Sequence, residues 1–175
     1  MIERYVYLLV LMVYIMSFGS ENIVFVDESG VDEEYQREYG WAPIGVRVHD
    51  VKSGKRGKRT NIIGGLWGKR HIAVSCYSQA IKGTIFEDWF EYELLAVIPY
   101  GSLVIMDNAS HHRKKYLYSI AGRYGVNLLF LPKYSPDFNL IEKSWANLKR
   151  WLCDNLYRFP NLFLAIHFYF NSYYS

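Results

Sequence analysis

The chain has 175 residues, 51% hydrophobic and 21% charged, with a formal charge of +3. That is about one domain's worth of sequence, able to bury a core without cross-links. Cys76 and Cys153 stand far apart and fit no Cys-x-x-Cys spacing, so neither a disulfide scaffold nor a zinc framework is supported, and a reducing compartment is the simpler setting.

The first predicted element is apolar. From Tyr5 to Phe18, fourteen residues pass without a charge or a strongly polar group. The length suits the apolar region of an export signal, with Ser17 and Gly19 as small residues near a cleavage point. It falls short of the roughly 18 apolar residues that a spanning helix needs. The run also reads as a truncated or frame-altered start covering an interdomain helix or a first strand. The expected division is residues 1–21 as an apolar leader or truncated interdomain segment, and 22–175 as one domain.

Ile23 to Val26 is a continuous apolar run closed by Asp27-Glu28-Ser29-Gly30, which predicts a buried strand breaking into a turn with Asp27 at its carboxyl end. Gly40 to Pro43 suggests a turn and Gly45 to His49 a short strand. Residues 52–59, Lys-Ser-Gly-Lys-Arg-Gly-Lys-Arg, read as a flexible basic loop. Asn61–Trp67 and Arg70–Tyr77 then pair as a hairpin about Gly68-Lys69. Between Trp41 and Ser75 there are eight basic residues (Arg47, Lys52, Lys55, Arg56, Lys58, Arg59, Lys69, Arg70) and one acid, Asp50. Such a stripe suits a polyanion, and it equally describes a solvated loop with no partner.

Past Gly83 the period becomes helical. Thr84 to Glu87 matches a capping box, and Ile85, Trp89, Tyr92 and Ala96 predict a helix to about Val97. Leu103 to Met106 is a second buried strand, closed by Asp107-Asn108. His112 to Ala121 reads as a helix stopped near Gly122 or Gly125. Leu128 to Leu131 is a further strand closed by Pro132. Lys133 to Phe138 is a loop, followed by a helix with Ile141, Trp145, Leu148 and Leu152 on one face. A last helix spans Leu162 to Tyr169. Antiparallel strands followed by alternating helix and strand predict an α/β fold, a mixed sheet flanked by helices. If the strands before Asp27 and Asp107 are neighbours, both carboxylates emerge at one sheet edge, where open α/β folds place ligands.

Asp27 and Asp107 each close an apolar run, and Glu142 opens a helix, with 34 residues between Asp107 and Glu142. Gathering them concentrates negative charge, which a divalent cation ordinarily neutralises. Hydrolysing a phosphodiester requires a nucleophile deprotonated at neutral pH and relief of charge on the leaving oxygen; two Mg²⁺ ions about 3.5 to 4 Å apart supply both. Magnesium takes hard oxygen ligands and keeps several waters, so three carboxylates suffice to hold the pair.

Each acid also has a plainer reading. Asp27 fits a turn acid, Asp107-Asn108 a helix cap, and Glu142 the reciprocal member of a capping box with Asn139. Their joint placement favours the catalytic reading. His111 and His112 are adjacent and diverge on a helix, and the remaining histidines are scattered, so zinc is unsupported. His111 and His112 follow Asp107 closely enough for one of them to touch substrate beside it, and each reads more simply as a helix-start or surface residue. The absence of a GxxxxGK[ST] loop, a GxSxG elbow and a dinucleotide fingerprint removes NTPase, serine hydrolase and dinucleotide-binding readings.

Taken together, Phe25-Val26-Asp27-Glu28-Ser29-Gly30, residues 39–45 (Tyr-Gly-Trp-Ala-Pro-Ile-Gly), Val104-Ile105-Met106-Asp107-Asn108-Ala109 and residues 131–145 (Leu-Pro-Lys-Tyr-Ser-Pro-Asp-Phe-Asn-Leu-Ile-Glu-Lys-Ser-Trp) resemble the catalytic domain of mariner-superfamily DDE transposases, in the branch found in bacterial insertion sequences. The likeness runs from about Ile23 to Asn171. It implies an RNase H-like fold with Asp27, Asp107 and Glu142 as catalytic and metal-binding residues, supported by Asn108 and Asn139. It also implies two Mg²⁺ ions with Mn²⁺ as substitute, cleavage of DNA at the element's terminal repeats, and attack of the freed 3′-hydroxyl on target DNA. The basic residues from Arg47 to Arg70, together with Lys133, become a DNA-contacting set whose binding should be strongly salt-dependent.

Two departures from the family accompany the likeness. Leu140 stands where the family usually has proline, which predicts a less rigid Glu142 rather than a dead site. Family members also generally carry helix-turn-helix domains, whereas only the apolar leader precedes Ile23. The expected function is therefore DNA cleavage and strand transfer. The alternative is an inactive relic that binds DNA or joins a full-length transposase. A second copy or a full-length transposase is the expected protein partner, without a membrane. The expected location is cytoplasmic and nucleoid-associated, and export through the leader ranks after both.

Overall fold

The computed structural model describes residues 2–32, 59–110 and 112–173. A five-stranded sheet is built from β1 (Ile23–Asp32), β2 (Arg59–Trp67), β3 (Arg70–Tyr77), β4 (Leu103–Met106) and β5 (Asn127–Phe130) in the order β3-β2-β1-β4-β5. β1, β2 and β3 are antiparallel neighbours, and β4 and β5 run parallel to β1. The β2–β3 turn is Gly68-Lys69, with Gly68 at φ 61°, a left-handed conformation that glycine adopts without a Cβ clash.

Helices cover both faces: α1 (Ile2–Phe18), α2 (Gly83–Trp89), α3 (Lys114–Arg123), α4 (Ile141–Asn155) and α5 (Leu162–Tyr173). Strand alternation sorts the core. Val24, Val26, Val104 and Met106 pack with Phe86, Trp89, Phe90, Leu117 and Ile120 on the α2/α3 side. On the opposite side Ile62 and Leu66 pack against Ile141, Trp145, Leu148 and Leu152 of α4 and Leu162 and Ile166 of α5. The predicted apolar face of α4 is the buried one.

The apolar run at the amino terminus forms α1. Tyr7 and Tyr14, seven residues apart and both buried, pack against Ile23, Leu103, Ile105 and Leu131. The Tyr14 hydroxyl donates to the Gly101 carbonyl at 2.6 Å. α1 also braces the loop ahead of α4. Arg4 Nη2 lies 2.5 Å from Asp137 Oδ2, its guanidinium stands 4.5 Å from the Phe138 ring centroid, and Tyr7 stacks on Phe138 at 5.3 Å. No described helix is long and apolar enough to cross a membrane.

Three local expectations are corrected. β1 does not break at Asp27: it continues to Asp32, because Asp27 to Asp32 pair in register with Gly64 to Arg59. The capping box at Thr84 is not formed, since Lys82 is the cap residue and makes no side-chain cap; Glu87 is instead buried in a pair with Arg113. A π-helical turn over Phe90–Leu94 follows α2, so the buried face carries Phe86, Trp89, Phe90 and Leu94 while Tyr92 is exposed. The expected turn at Gly40 to Pro43, the expected strand at Gly45 to His49, and Arg47, Lys52, Lys55, Arg56, Lys58 and His111 lie outside the described residues.

Candidate active site

The parallel pairing of β1 and β4, with Ile23, Val24 and Phe25 opposite Leu103, Val104 and Ile105, brings Asp27 and Asp107 out at the same end of the sheet. Asp27 and Glu28 are successive strand residues and point to opposite faces. Asp27 faces α4, where the Trp145 indole Nε1–H donates to its Oδ2 at 3.1 Å. Glu142, in the first turn of α4, completes the group. Asp27, Asp107 and Glu142 line one cavity of about 430 Å³ together with Asn108, Lys133 and Asn139.

The plainer readings of the acids fail in this setting. Asp27 is within a strand rather than a turn. Asp107 Oδ1 accepts from the Ala109 N–H at 3.3 Å, while α3 starts at Lys114 after Arg113 without a side-chain cap. Asn139 does not cap α4 with its side chain. Its Nδ2 donates to the Val26 carbonyl at 3.2 Å, fastening the 133–140 loop to β1 beside Asp27. Its buried Oδ1 has no hydrogen-bond partner among the described residues. The Glu142 N–H is taken up by the Asn139 backbone carbonyl at 3.2 Å.

Burial, then the negative charge of Glu142, push the Asp27 carboxyl up to about 7; Asp107 adds to the rise, and the Glu28 N–H and the Trp145 indole oppose it. A carboxyl held near neutrality among like charges is one whose ionisation a divalent cation favours. The donor set is hard oxygen, as Mg²⁺ and Mn²⁺ prefer, and among the described residues none of the three acids is paired with Lys or Arg. Among those residues, too, no group of three or more His, Cys, Asp or Glu side chains is drawn together closely enough to hold a metal ion. The three carboxylates thus share a cavity rather than a finished coordination sphere. That arrangement fits ions bound through one or two carboxylates each, the remaining positions falling to water and substrate phosphate.

On the other face, Glu28 meets His112, which is buried rather than at a helix start or on the surface. The ring lies 4.1 Å from Phe86, with Nδ1 3.4 Å from Asp107 Oδ1 and Nε2 3.6 Å from Glu28 Oε1. The next residue, Arg113, is anchored to the buried Glu87 by two hydrogen bonds, Nε to Oε1 at 2.7 Å and Nη2 to Oε2. Sequence reasoning passed over Glu28 and the indole of Trp145, and it weighed His112 only as a substrate contact or a helix-start or surface residue. The strand period could have found Glu28, but nothing in the local sequence signals the ring's burial.

Of the described basic residues, Lys133 lines the cavity and Arg59 opens β2 opposite Asp32. Lys69 and Arg70 sit at the β2–β3 turn, where Trp67 pairs with Val24. Asp27 pairs with Gly64, midway in sequence between Arg59 and Lys69.

The sequence matches the family described as DDE superfamily endonuclease over residues 22–162. No curated protein matches it. Among solved structures it is similar to the Mos1 transposase paired-end complex with left transposon end (TM-score 0.67, 15% identity, 86% of this chain and 48% of that one). It is also similar to the catalytic domain of Mos1 mariner transposase (TM-score 0.64, 13% identity, 98% and 78%) and to the catalytic core domain of BIV integrase (TM-score 0.52, 11% identity, 85% and 80%). The chain spans about half the length of the Mos1 chain in that paired-end complex. These likenesses are of fold, and they agree with the RNase H-like arrangement that the resemblance implied. With 22–162 matched and the sheet in place, the chain belongs to the DDE superfamily endonucleases.

Proposed function

We propose that residues 22–175 are the catalytic domain of a transposase of the bacterial insertion-sequence type, which cleaves DNA at an element's terminal repeats and transfers the freed 3′-hydroxyl to target DNA. The observation that carries this reading is the meeting of Asp27, Asp107 and Glu142 in one cavity. Asp27 lies within β1 and Asp107 directly follows β4, and Glu142 rides on a helix whose Trp145 is fastened to Asp27. Two divalent ions, Mg²⁺ or Mn²⁺, would supply an activated nucleophile and charge relief on the leaving oxygen. Asp27, Asp107 and Glu142 would hold them. Lys133, exposed at the cavity wall, would contact a substrate phosphate, and Asn108 stands beside Asp107 within the same wall. The solved complexes with Mn and with Mg to which the chain is similar are those of Mos1, which supports the choice of ions.

The DNA-contacting set is proposed as Lys133 at the cavity wall with Arg59, Lys69 and Arg70 of the β2–β3 hairpin, joined by Arg47, Lys52, Lys55, Arg56 and Lys58. Residues 1–21 are proposed as an interdomain segment rather than an export leader, because α1 braces the loop leading to Glu142. The protein would act in the cytoplasm on nucleoid DNA, with a second copy or a full-length transposase as its protein partner. The test is an assay of purified protein with Mg²⁺ or Mn²⁺ on DNA carrying the element's terminal repeats. Cleavage that disappears in Asp107→Asn supports the enzyme. Salt-sensitive binding with no cleavage by the unaltered chain supports the inactive relic instead.

A further inference from the structure

Tyr134 takes a left-handed backbone conformation, φ 55°, and is 96% exposed. An aromatic residue at that φ is a steric outlier, because its Cβ crowds the following carbonyl, and glycine or asparagine adopts the same conformation more readily. Burial of the ring would offset the cost, but among the described residues Tyr134 forms no hydrogen bond, ion pair or ring contact. The chain on either side is fixed. Before it, the Leu131 N–H donates to the Met106 carbonyl at 2.9 Å. After it, Ser135 is buried, and its hydroxyl donates to the Lys133 carbonyl at 3.3 Å, bridging Tyr134. Asn139 then holds the loop to Val26. This setting stands the ring out from the loop at a defined place, the wall of the cavity shared by Asp27, Asp107 and Glu142, beside Lys133.

We propose that Tyr134 is a stacking platform for a nucleobase of the DNA strand that enters the cavity, an unstacked base next to the phosphate that Lys133 contacts. The inference rests on the reading of this cavity as a DNA-cleaving site. Three observations carry it. Outliers of backbone conformation collect at active sites and ligand clamps, where the surrounding structure holds them, and the bonds on either side of Tyr134 hold this one. The ring is left open, as a base requires of its partner, and stacking on tyrosine is tolerant of sequence because every base has a π-face. The preceding residue is a cation on the same cavity wall, so consecutive residues offer charge to a phosphate and an aromatic face to a base, the combination by which proteins hold single-stranded nucleic acid. A lone exposed ring on a surface loop needs no explanation. A strained one at the mouth of a carboxylate cavity does.

Two variants separate the ring from the backbone. Tyr134→Phe keeps the ring and should bind DNA as the unaltered chain does. Tyr134→Gly removes the ring and relieves the backbone, so its melting temperature should rise by about 2 to 4 °C. Its affinity for a duplex with a single-stranded thymine tail, measured at fixed salt, should fall about 5- to 150-fold. Irradiating the complex made with a 5-iodouracil tail should crosslink Tyr134, identified by peptide mass spectrometry. Neither binding nor crosslinking needs turnover, so both should persist in Asp107→Asn, and a chain that crosslinks through Tyr134 without cleaving supports the stacking role even where the cleavage reading fails. Equal binding by Tyr134→Gly and the unaltered chain, or crosslinks only at other residues, overturns the stacking role and leaves the cleavage reading standing. A melting temperature that falls in Tyr134→Gly overturns it as well, since the ring would then pack on its own chain. A chain that binds no DNA overturns both.

Discussion

The indole N–H of Trp145 reaches Oδ2 of Asp27 at 3.1 Å, and it does so across a glycine. Gly64 is the β2 residue paired with Asp27. A Cβ there would stand 3.3 Å from Trp145 Cη2 and 3.2 Å from Val74 Cγ2, so the missing side chain is what lets the indole lie against β2 with its N–H aimed at the carboxylate. The tie joins the strand carrying one acid to the helix carrying another.

Replacing Trp145 by Phe keeps an aromatic ring and removes the donor. The Asp27 carboxyl should then move further up from its ordinary value, because the indole is one of the groups holding it down. The acid limb of the pH–cleavage profile should shift to higher pH, and stability should fall by about 1 to 3 kcal/mol. An unmoved acid limb would show that the indole does not tune Asp27.

Metal-free stability should depend on pH through Asp27. Its carboxyl is raised from 3.8 to about 7 by burial and by Glu142, so the folded state binds the proton more tightly than the unfolded chain. The resulting stabilisation is full below about pH 4 and is lost as pH rises through 7, on the order of 4 kcal/mol in all. Thermal melts should show this decline flattened in Asp27→Asn. Added Mg²⁺ should raise the melting temperature more at pH 8 than at pH 5, and equal rises at both would contradict the assignment.

His112 bridges Asp107 and Glu28 from a buried position against Phe86. Ala in its place removes the ring that approaches both carboxylates from that face and opens a void beside Phe86. A group that orients a metal ligand typically contributes 10- to 100-fold to metal affinity or activity. His112→Ala should therefore reduce cleavage by about that factor, with Mn²⁺ affinity falling in step. An unchanged affinity and rate would reduce His112 to core packing.

Leu140 is a place where the chain can be improved. Its φ of −64° lies at the value proline imposes, and Asn139 before it is extended at φ −96°, ψ 100°, as a residue before proline must be. Leu140→Pro should be accepted without strain and stabilise the protein by about 0.4 to 1 kcal/mol through the unfolded chain, while stiffening the approach to Glu142. A lower denaturation midpoint would refute this.

Much of this was legible because it is local. The β2–β3 hairpin announces itself in two β-rich runs about Gly68-Lys69, and α4 in the spacing of Ile141, Trp145, Leu148 and Leu152. Asp107 closes a run too short and apolar to be anything but a buried strand. What was missed depends on partners distant in sequence. Ser29 and Gly30 look like a turn until β2 pairs with them. Asn139 looks like a cap until Val26 offers a carbonyl from 113 residues away. The face of α2 is set by the α2/α3-side core and by the π-helical turn, which shifts the helical period that Ile85 and Tyr92 suggested.

The most direct measurement of the central claim is anomalous diffraction from crystals soaked in Mn²⁺. The account predicts two peaks about 3.5 to 4 Å apart in the cavity shared by Asp27, Asp107 and Glu142, with every one of the three carboxylates bound to at least one ion. Peaks elsewhere, or a cavity that takes up manganese while one of the three acids turns away from it, would contradict it.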